Sequence, residues 1–213
     1  MKFDIARLGP AVGLIGLCAL LSLLTPTFLT PSNLTNVLLQ SAITSVLAVG
    51  MTFVILTAGI DLGVGSVLAL CGVMVGHALL VWNLPLMVGL LIALAVGSLC
   101  GWVNGMLITK GKLPPFIATL ASLVGLRSLA RVLVQDVNGA FSPTRNTQIY
   151  IRDEFFKSLG STWWIPLVIF VVIAILLLIL MSKTVLGRHL YAIGGNEDAA
   201  RLSGIRTERL KWL

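Results

Sequence analysis

The sequence predicts an all-α protein, a polytopic transmembrane helical bundle, because of its composition and its long apolar runs. Of its 213 residues, 57% are hydrophobic and only 11% are charged, and the mean hydropathy is +1.02. Soluble domains contain about 25% charged residues. Several runs reach or approach the ~20 apolar residues with which a helix crosses about 30 Å of hydrocarbon. An ordinary soluble domain is therefore excluded.

Six spans are predicted, and turn-forming segments separate them. TPTFLTPSN follows the first span, NLP divides the third from the fourth, and KGKLPP divides the fourth from the fifth. No small-residue cleavage site follows the first span, so we expect it to remain uncleaved. The predicted spans are about 8–24, 36–58, 65–82, 85–108, 116–134 and 164–182.

The distribution of Lys and Arg predicts that the N-terminus and the C-terminal tail are cytoplasmic. With the N-terminus inside, ten Lys and Arg residues fall in cytoplasmic segments, and Arg145, Arg152 and Lys157 remain in an outer loop. An excess of these residues marks the cytoplasmic side of membrane proteins. The same rule accounts for the net charge of +7, so no nucleic-acid partner is expected.

The stretch TAGIDLGVGSVLAL, between spans 2 and 3, carries one carboxylate and three glycines inside an apolar run. A lone charge in hydrocarbon costs roughly 2.5–3.5 kcal/mol, and each glycine costs about 1 kcal/mol against alanine in a helix interior. We interpret Gly59, Asp61, Gly63 and Gly65 as a break in the helix that lines or gates a polar path. The alternative is an ordinary tight turn capped by Asp61.

Small residues recur at every fourth position of span 4, which predicts close helix packing. Asn104, beside this stripe, either bonds across helices or lines a path. The small residues are Ala93, Gly97, Gly101 and Gly105.

Two arginines, Arg127 and Arg131, lie on one face of span 5. Arg131 is near enough to the outer end to snorkel, whereas Arg127 needs a partner, in a structural salt bridge or in a substrate contact. His77 is expected to be a packing histidine. The cysteines have no metal-ligand spacing and are expected to be small buried residues: Cys18, Cys71 and Cys100.

The tail contains AIGGNEDAARLSGI, which predicts a short capped helix. Asn196 is a favourable N-cap, acidic residues occupy the first turn, and Gly204 suits the C-terminal stop. Glu197 and Arg201 have the spacing of a stabilising i,i+4 pair. Gly194 and Gly195 are expected to be a flexible entry. A small alanine face ringed by charges would suit insertion into a partner's groove: Ala199 and Ala200, with Glu197 and Asp198 beside them.

Three segments resemble the membrane permease subunits of bacterial ABC importers for monosaccharides, the ribose permeases in particular. They are AVGMTFVILTAGIDLGVGSVLAL (48–70), PPFIATL (114–120) and LGRHLYAIGGNEDAARLSGI (186–205). Asp198-Ala199-Ala200-x-x-x-Gly204 is similar to the loop through which such permeases contact their ATPases. One departure is Gly63, where the family has Ser.

The resemblance implies a bacterial inner-membrane permease that carries ribose or a related monosaccharide. It implies three partners: an ABC ATPase that docks at residues 196–204, a periplasmic sugar-binding protein, and a second permease copy or paralogue. The chain has no GxxxxGK[ST] loop, so it is expected to be no enzyme and to need no cofactor, the ATP being bound by the ATPase. The substrate path is expected to include Gly59, Asp61, Gly63, Gly65, Asn104, Phe116 and Thr119.

Family members are roughly half as long again, so the chain is expected to be the N-terminal part of a permease. Residues 1–182 would form the transmembrane bundle and residues 183–213 a cytoplasmic coupling segment, with the next span missing. Two alternatives stay open. One is an ion-coupled secondary transporter that uses Asp61, and the other is an inactive truncated permease remnant.

Overall fold

The computed structural model describes residues 9–137 and 149–212 and confirms the all-α prediction for that part of the chain. Short turns join its helices. They are α1 (Gly9–Leu24), α2 (Pro31–Leu56), α3 (Val64–Leu80), α4 (Leu86–Thr109), α5 (Pro115–Val137), α6 (Glu154–Ser161), α7 (Trp164–Lys183), α8 (Val185–Gly195), α9 (Glu197–Leu202) and α10 (Thr207–Trp212).

Each of the six predicted spans corresponds to one helix, namely α1 to α5 and α7. Four of them, α2, α4, α5 and α7, are long and apolar enough to cross a membrane. The helices α1 and α3 are shorter apolar helices, so the number of spans stays a prediction. Helix α2 begins at Pro31, five residues before the predicted start, because Thr30 caps it and proline suits the first helical turn.

Two polar segments contain helices that the hydropathy pattern did not predict. Helix α6 begins where Asp153 Oδ1 accepts a hydrogen bond from the Phe156 N–H (2.7 Å). Helix α8 includes Gly194 and Gly195, so their interpretation as a flexible entry was wrong. Gly194 lies against the backbone of Leu56, where an added Cβ would overlap the carbonyl oxygen. The glycine therefore permits close packing of α8 on α2. Arg145 lies outside the described residues.

The helices pack in two groups. In the first group, α3 packs against both α4 and α5, and in the second, α2 packs against α7 and α8. The buried core of the first group joins Leu70 and Val73 of α3 to Ala130 and Val134 of α5. Towards the C-terminal ends of these helices, His77 Nε2 lies 3.0 Å from Asp136 Oδ2. His77 is buried, as expected of a packing histidine, although its Nδ1 has no partner among the described residues.

The small residues of α4 confirm the predicted close packing at two positions along the helix. An added Cβ at Gly97 would lie 3.3 Å from Cys71 Sγ on α3, and one at Gly105 would lie 3.0 Å from Trp212 Cα on α10. Ala93 contributes its carbonyl oxygen, which accepts a hydrogen bond from Cys71 Sγ (3.3 Å). Gly101 has open space around it. All three cysteines are free thiols, and Cys18 is exposed on the surface of the chain instead of buried.

A pair of substitutions on α4 tests this packing. We expect Gly97→Leu to destabilise the protein by about 1–3 kcal/mol, because the added side chain forces α3 and α4 apart. Gly101→Leu adds the same side chain one turn away without a steric clash, and it improves helix propensity. Denaturation in detergent micelles, followed by circular dichroism, measures both. Equal stability of the two variants would contradict close packing at Gly97.

Candidate functional site

The chain leaves the helical conformation between Leu56 and Val64. Ala58 has φ of 56°, and the Gly59 N–H donates to the Val54 carbonyl (2.9 Å), which turns the chain sharply. An added Cβ at Gly59 would lie 3.1 Å from Val54 Cγ1 and 3.2 Å from its carbonyl oxygen. Glycine is required there by close approach to the last turn of α2.

Asp61 forms the turn that begins α3. Its Oδ1 accepts a hydrogen bond from the Gly63 N–H (2.7 Å), the geometry of an Asx turn. The Gly63 carbonyl then accepts from the N–H groups of Ser66 and Val67 and starts the helix. The cap proposed as the alternative role of Asp61 is therefore present. Its other oxygen, Oδ2, has no hydrogen-bond partner within residues 9–137 and 149–212.

Polar side chains of α4 and α5 face this turn. Thr119 Oγ1 lies 3.2 Å from the Ile60 carbonyl oxygen and 2.8 Å from that of Pro115, and Thr119 is buried. Ser122 Oγ donates to Asn104 Oδ1 across the α4–α5 interface. Asn104 thus bonds across helices, as one of its two predicted roles requires.

A cavity of about 750 Å³ lies between the turn, α4, the start of α5 and the tail. Small-molecule sites have volumes of about 300–1,000 Å³. The cavity brings together four of the predicted path residues: Gly59, Asp61, Asn104 and Thr119. Sequence reasoning missed a further group of lining residues: Ser98, Gly101, Trp102, Glu197, Lys211 and Trp212.

The other three predicted path residues do not line this cavity. Gly63 is buried behind the turn, where an added Cβ would lie 3.4 Å from the Thr119 carbonyl oxygen. Gly65 lies on α3 with nothing within 4 Å of an added Cβ. Phe116 is half exposed on α5. The cavity therefore faces one side of the turn only.

The lining of the cavity is somewhat more apolar than polar, and it carries charges of both signs. Asp61 and Glu197 supply carboxylates, Lys211 supplies an ammonium group, and Trp102 and Trp212 add indole rings. Such a lining offers hydrogen-bond donors and acceptors together with apolar indole surface. No cluster of three or more metal-ligating side chains occurs in the part of the chain that the structure describes.

The tail forms the predicted capped helix. Asn196 Oδ1 accepts from the Ala199 N–H (3.0 Å), and Gly204 ends the helix with φ of 84°. The Ile205 N–H donates to the Ala200 carbonyl (3.1 Å) and the Gly204 N–H to that of Arg201 (3.0 Å). These two bonds form a Schellman motif.

The ion pairs of α9 differ from the predicted one. Glu197 does not pair with Arg201. Instead, Glu197 Oε2 lies 2.7 Å from Lys211 Nζ, and Arg201 pairs with Asp198 at 3.1 Å. The folding back of α10 brings Lys211 to Glu197, which draws that carboxylate away from its own helix.

Only part of the alanine face is available to a partner. Ala200 is buried within the chain, whereas Ala199 is exposed. Leu202, at the end of the same helix, is 88% exposed. The exposed surface of α9 away from Lys211 therefore consists of Asp198, Ala199, Arg201 and Leu202.

Arg127 and Arg131 are exposed on α5. Neither forms an ion pair within the described ranges, which include every acidic residue of the chain except Asp4. Within residues 9–137 and 149–212, the structure therefore shows no salt bridge to Arg127 or Arg131.

The profile of one transport family matches residues 33–213. That family is described as the permease component of the branched-chain amino acid transport system. The chain belongs to this permease family.

Three relatives within the family are named as sugar permeases. The ribose import permease protein of Bacillus subtilis is 42% identical over 207 residues, which cover 96% of this chain and 62% of that protein. That of Escherichia coli K12 is 39% identical over 94% of this chain and 61% of its own length. The xylose transport system permease protein of Haemophilus influenzae is 32% identical over 87% of this chain and 64% of its own length. This permease chain thus spans about three fifths of its relatives' length. No solved structure was found to match it.

Two substitutions distinguish the contribution of the Asp61 hydrogen bond to stability from that of the Asp61 charge. Asp61→Ala removes the acceptor for the Gly63 N–H, so we expect it to cost about 1 kcal/mol of stability, as lost caps do. Asp61→Asn retains an acceptor oxygen at the same place and is expected to unfold like the wild type. Denaturation in detergent measures both. If Asp61→Asn were as unstable as Asp61→Ala, the charge and not the hydrogen bond would hold the turn.

Proposed function

We propose that this chain forms part of a permease subunit of an ATP-driven importer for ribose or a related monosaccharide. The cavity would be a section of the sugar path, and α9 would be the helix on which an ABC ATPase docks. The observation that carries this proposal is the position of a cavity with polar and apolar walls directly beside α9, in a chain about 40% identical to ribose import permeases.

The lining of the cavity suits a sugar. A monosaccharide carries no charge but many hydroxyl groups, each of which needs a hydrogen-bond partner once water is removed. Asn104 and Thr119 supply polar atoms, and Trp102 and Trp212 add apolar indole surface. The free Oδ2 of Asp61 would accept a bond from a hydroxyl group.

The tail suits an ATPase partner. The helix α9 is fixed at both ends, by Asn196 and by the motif at Gly204, so it can transmit movement as a rigid body. Leu202 offers an exposed apolar contact, and charged side chains surround it. Residues 183–213 would form the cytoplasmic coupling segment, and residues 1–182 the bundle that spans the bacterial inner membrane.

The remaining partners follow from the same assignment. A periplasmic sugar-binding protein would deliver the sugar to the outer face, and a second permease copy or paralogue would complete the path. ATP would bind to the ATPase, so this chain would need no cofactor and would catalyse no reaction itself.

Co-purification with the cognate ATPase tests the proposal. We expect the wild-type chain to retain the ATPase in detergent and to raise ATP turnover when loaded binding protein is added. Ala199→Glu should lower retention at least about tenfold, because a buried unpaired charge at an interface costs several kcal/mol. Ala200→Glu would be a poor test, because Ala200 is buried within the chain itself.

The matched control is Ala192→Glu, an exposed alanine on α8 in the same tail. We expect it to retain the ATPase like the wild type. Failure of the wild-type chain to retain the ATPase, or equal retention by Ala199→Glu, would contradict docking at α9.

A further inference from the structure

The tail, residues 183–212, contacts both helix groups beside the cavity. Helix α8 packs with α2 and α7, whereas α10 packs with α4. Helix α9 lies between them in the chain and contacts both α8 and α10. A displacement of α9 therefore has a contact path to each group, with the cavity in between.

The contact from α9 towards α10 includes one short ion pair. Lys211 Nζ lies 2.7 Å from Glu197 Oε2, between residues that are 14 positions apart. The Lys211 side chain is 24% exposed and that of Glu197 is 45% exposed, and both line the cavity. By contrast, the Asp198–Arg201 pair stays within α9 and is largely exposed, so it cannot connect α9 to another helix.

Beyond Lys211, α10 is wedged against α4. The backbone of Lys211 and Trp212 lies so close to Gly105 that an added Cβ there would be 3.0 Å from Trp212 Cα and 3.2 Å from the Lys211 carbonyl oxygen. Lys110 Nζ stacks 4.6 Å from the centre of the Trp212 ring. Because glycine allows this approach, a displacement of α10 would press on α4 at Gly105, next to Asn104 in the cavity wall.

We propose that the Glu197–Lys211 ion pair is the positioning contact that carries movement of α9 to α10 and α4, and so to the wall of the cavity. This inference rests on the proposed docking of an ATPase at α9. In it, Glu197 faces inward to Lys211, while Asp198, Ala199 and Leu202 meet the partner. The two side chains act through the helices that they join.

Hydrogen exchange of the chain alone, in detergent, tests the contact itself. Lys211→Met removes the ammonium group, keeps an unbranched apolar stem and leaves α9 unchanged. We expect backbone amides of residues 205–212 to exchange about two- to fivefold faster, the change that a partly exposed ion pair supports. Arg209→Met, on the same helix and without an ion pair in the described residues, is the matched control and should exchange like the wild type.

Exchanging the two charges of the ion pair tests whether the slower exchange can be restored. The double variant Glu197→Lys/Lys211→Glu restores opposite charges and should return exchange of residues 205–212 to near the wild-type rate. A rate in Lys211→Met equal to that in Arg209→Met would overturn the inference, whatever the ATPase does.

Addition of the cognate ATPase tests transmission. In the wild type we expect protection of residues 196–204 and of residues 205–212, whereas in Lys211→Met only residues 196–204 should be protected. Protection of both segments in Lys211→Met would overturn the inference and leave the docking proposal intact. Absence of protection in the wild-type tail would overturn the docking proposal and this inference together.

Discussion

The structure depends on one constraint, the pairing of the backbone polar groups in the segment 57–63. Apolar surroundings offer no water to an unpaired N–H or C=O group, so non-helical backbone survives there only where protein groups or a wet cavity satisfy it. Neighbouring atoms meet this condition for part of the turn, which also borders the cavity. Gly59 bonds to Val54, Gly63 bonds to Asp61, and the Ile60 carbonyl lies within reach of Thr119. The residue types of TAGIDLG are those that this pairing needs.

The turn also separates the helices into two packed groups and leaves a cavity where they diverge. Thr57 to Asp61 line it on one side and α4 on the other, and the tail crosses beside it. A path that opens alternately to two sides requires helix groups that can move against each other as rigid bodies. The arrangement provides two such groups, one turn between them and one tail that contacts both.

The sequence predicted those features of the structure that depend on residues close together in the chain. Long apolar runs located the helices, and the residue types around Asn196 located a capped helix. Around Asp61 they predicted either a break that lines a polar path or a capped turn, and the structure shows the hydrogen bond of that turn. It did not predict the Glu197–Lys211 pair, because residues 14 positions apart meet only through the fold. Gly194 was misjudged for a related reason, since a glycine that permits close packing has the same local pattern as one that permits flexibility. Lys211 and Trp212 carried no signal of their cavity position.

Water access to the cavity decides whether the turn borders a polar path. In a chain whose native cysteines are replaced by alanine, Ser98→Cys places a thiol on the cavity wall, and Leu99→Cys places one on the adjacent exposed, apolar surface of α4. We expect a membrane-impermeant thiol reagent, applied to the cytoplasmic side of inverted membrane vesicles, to modify Ser98→Cys and to spare Leu99→Cys. Equal modification of the two thiols, or no modification of Ser98→Cys, would contradict a water-filled cavity at the turn.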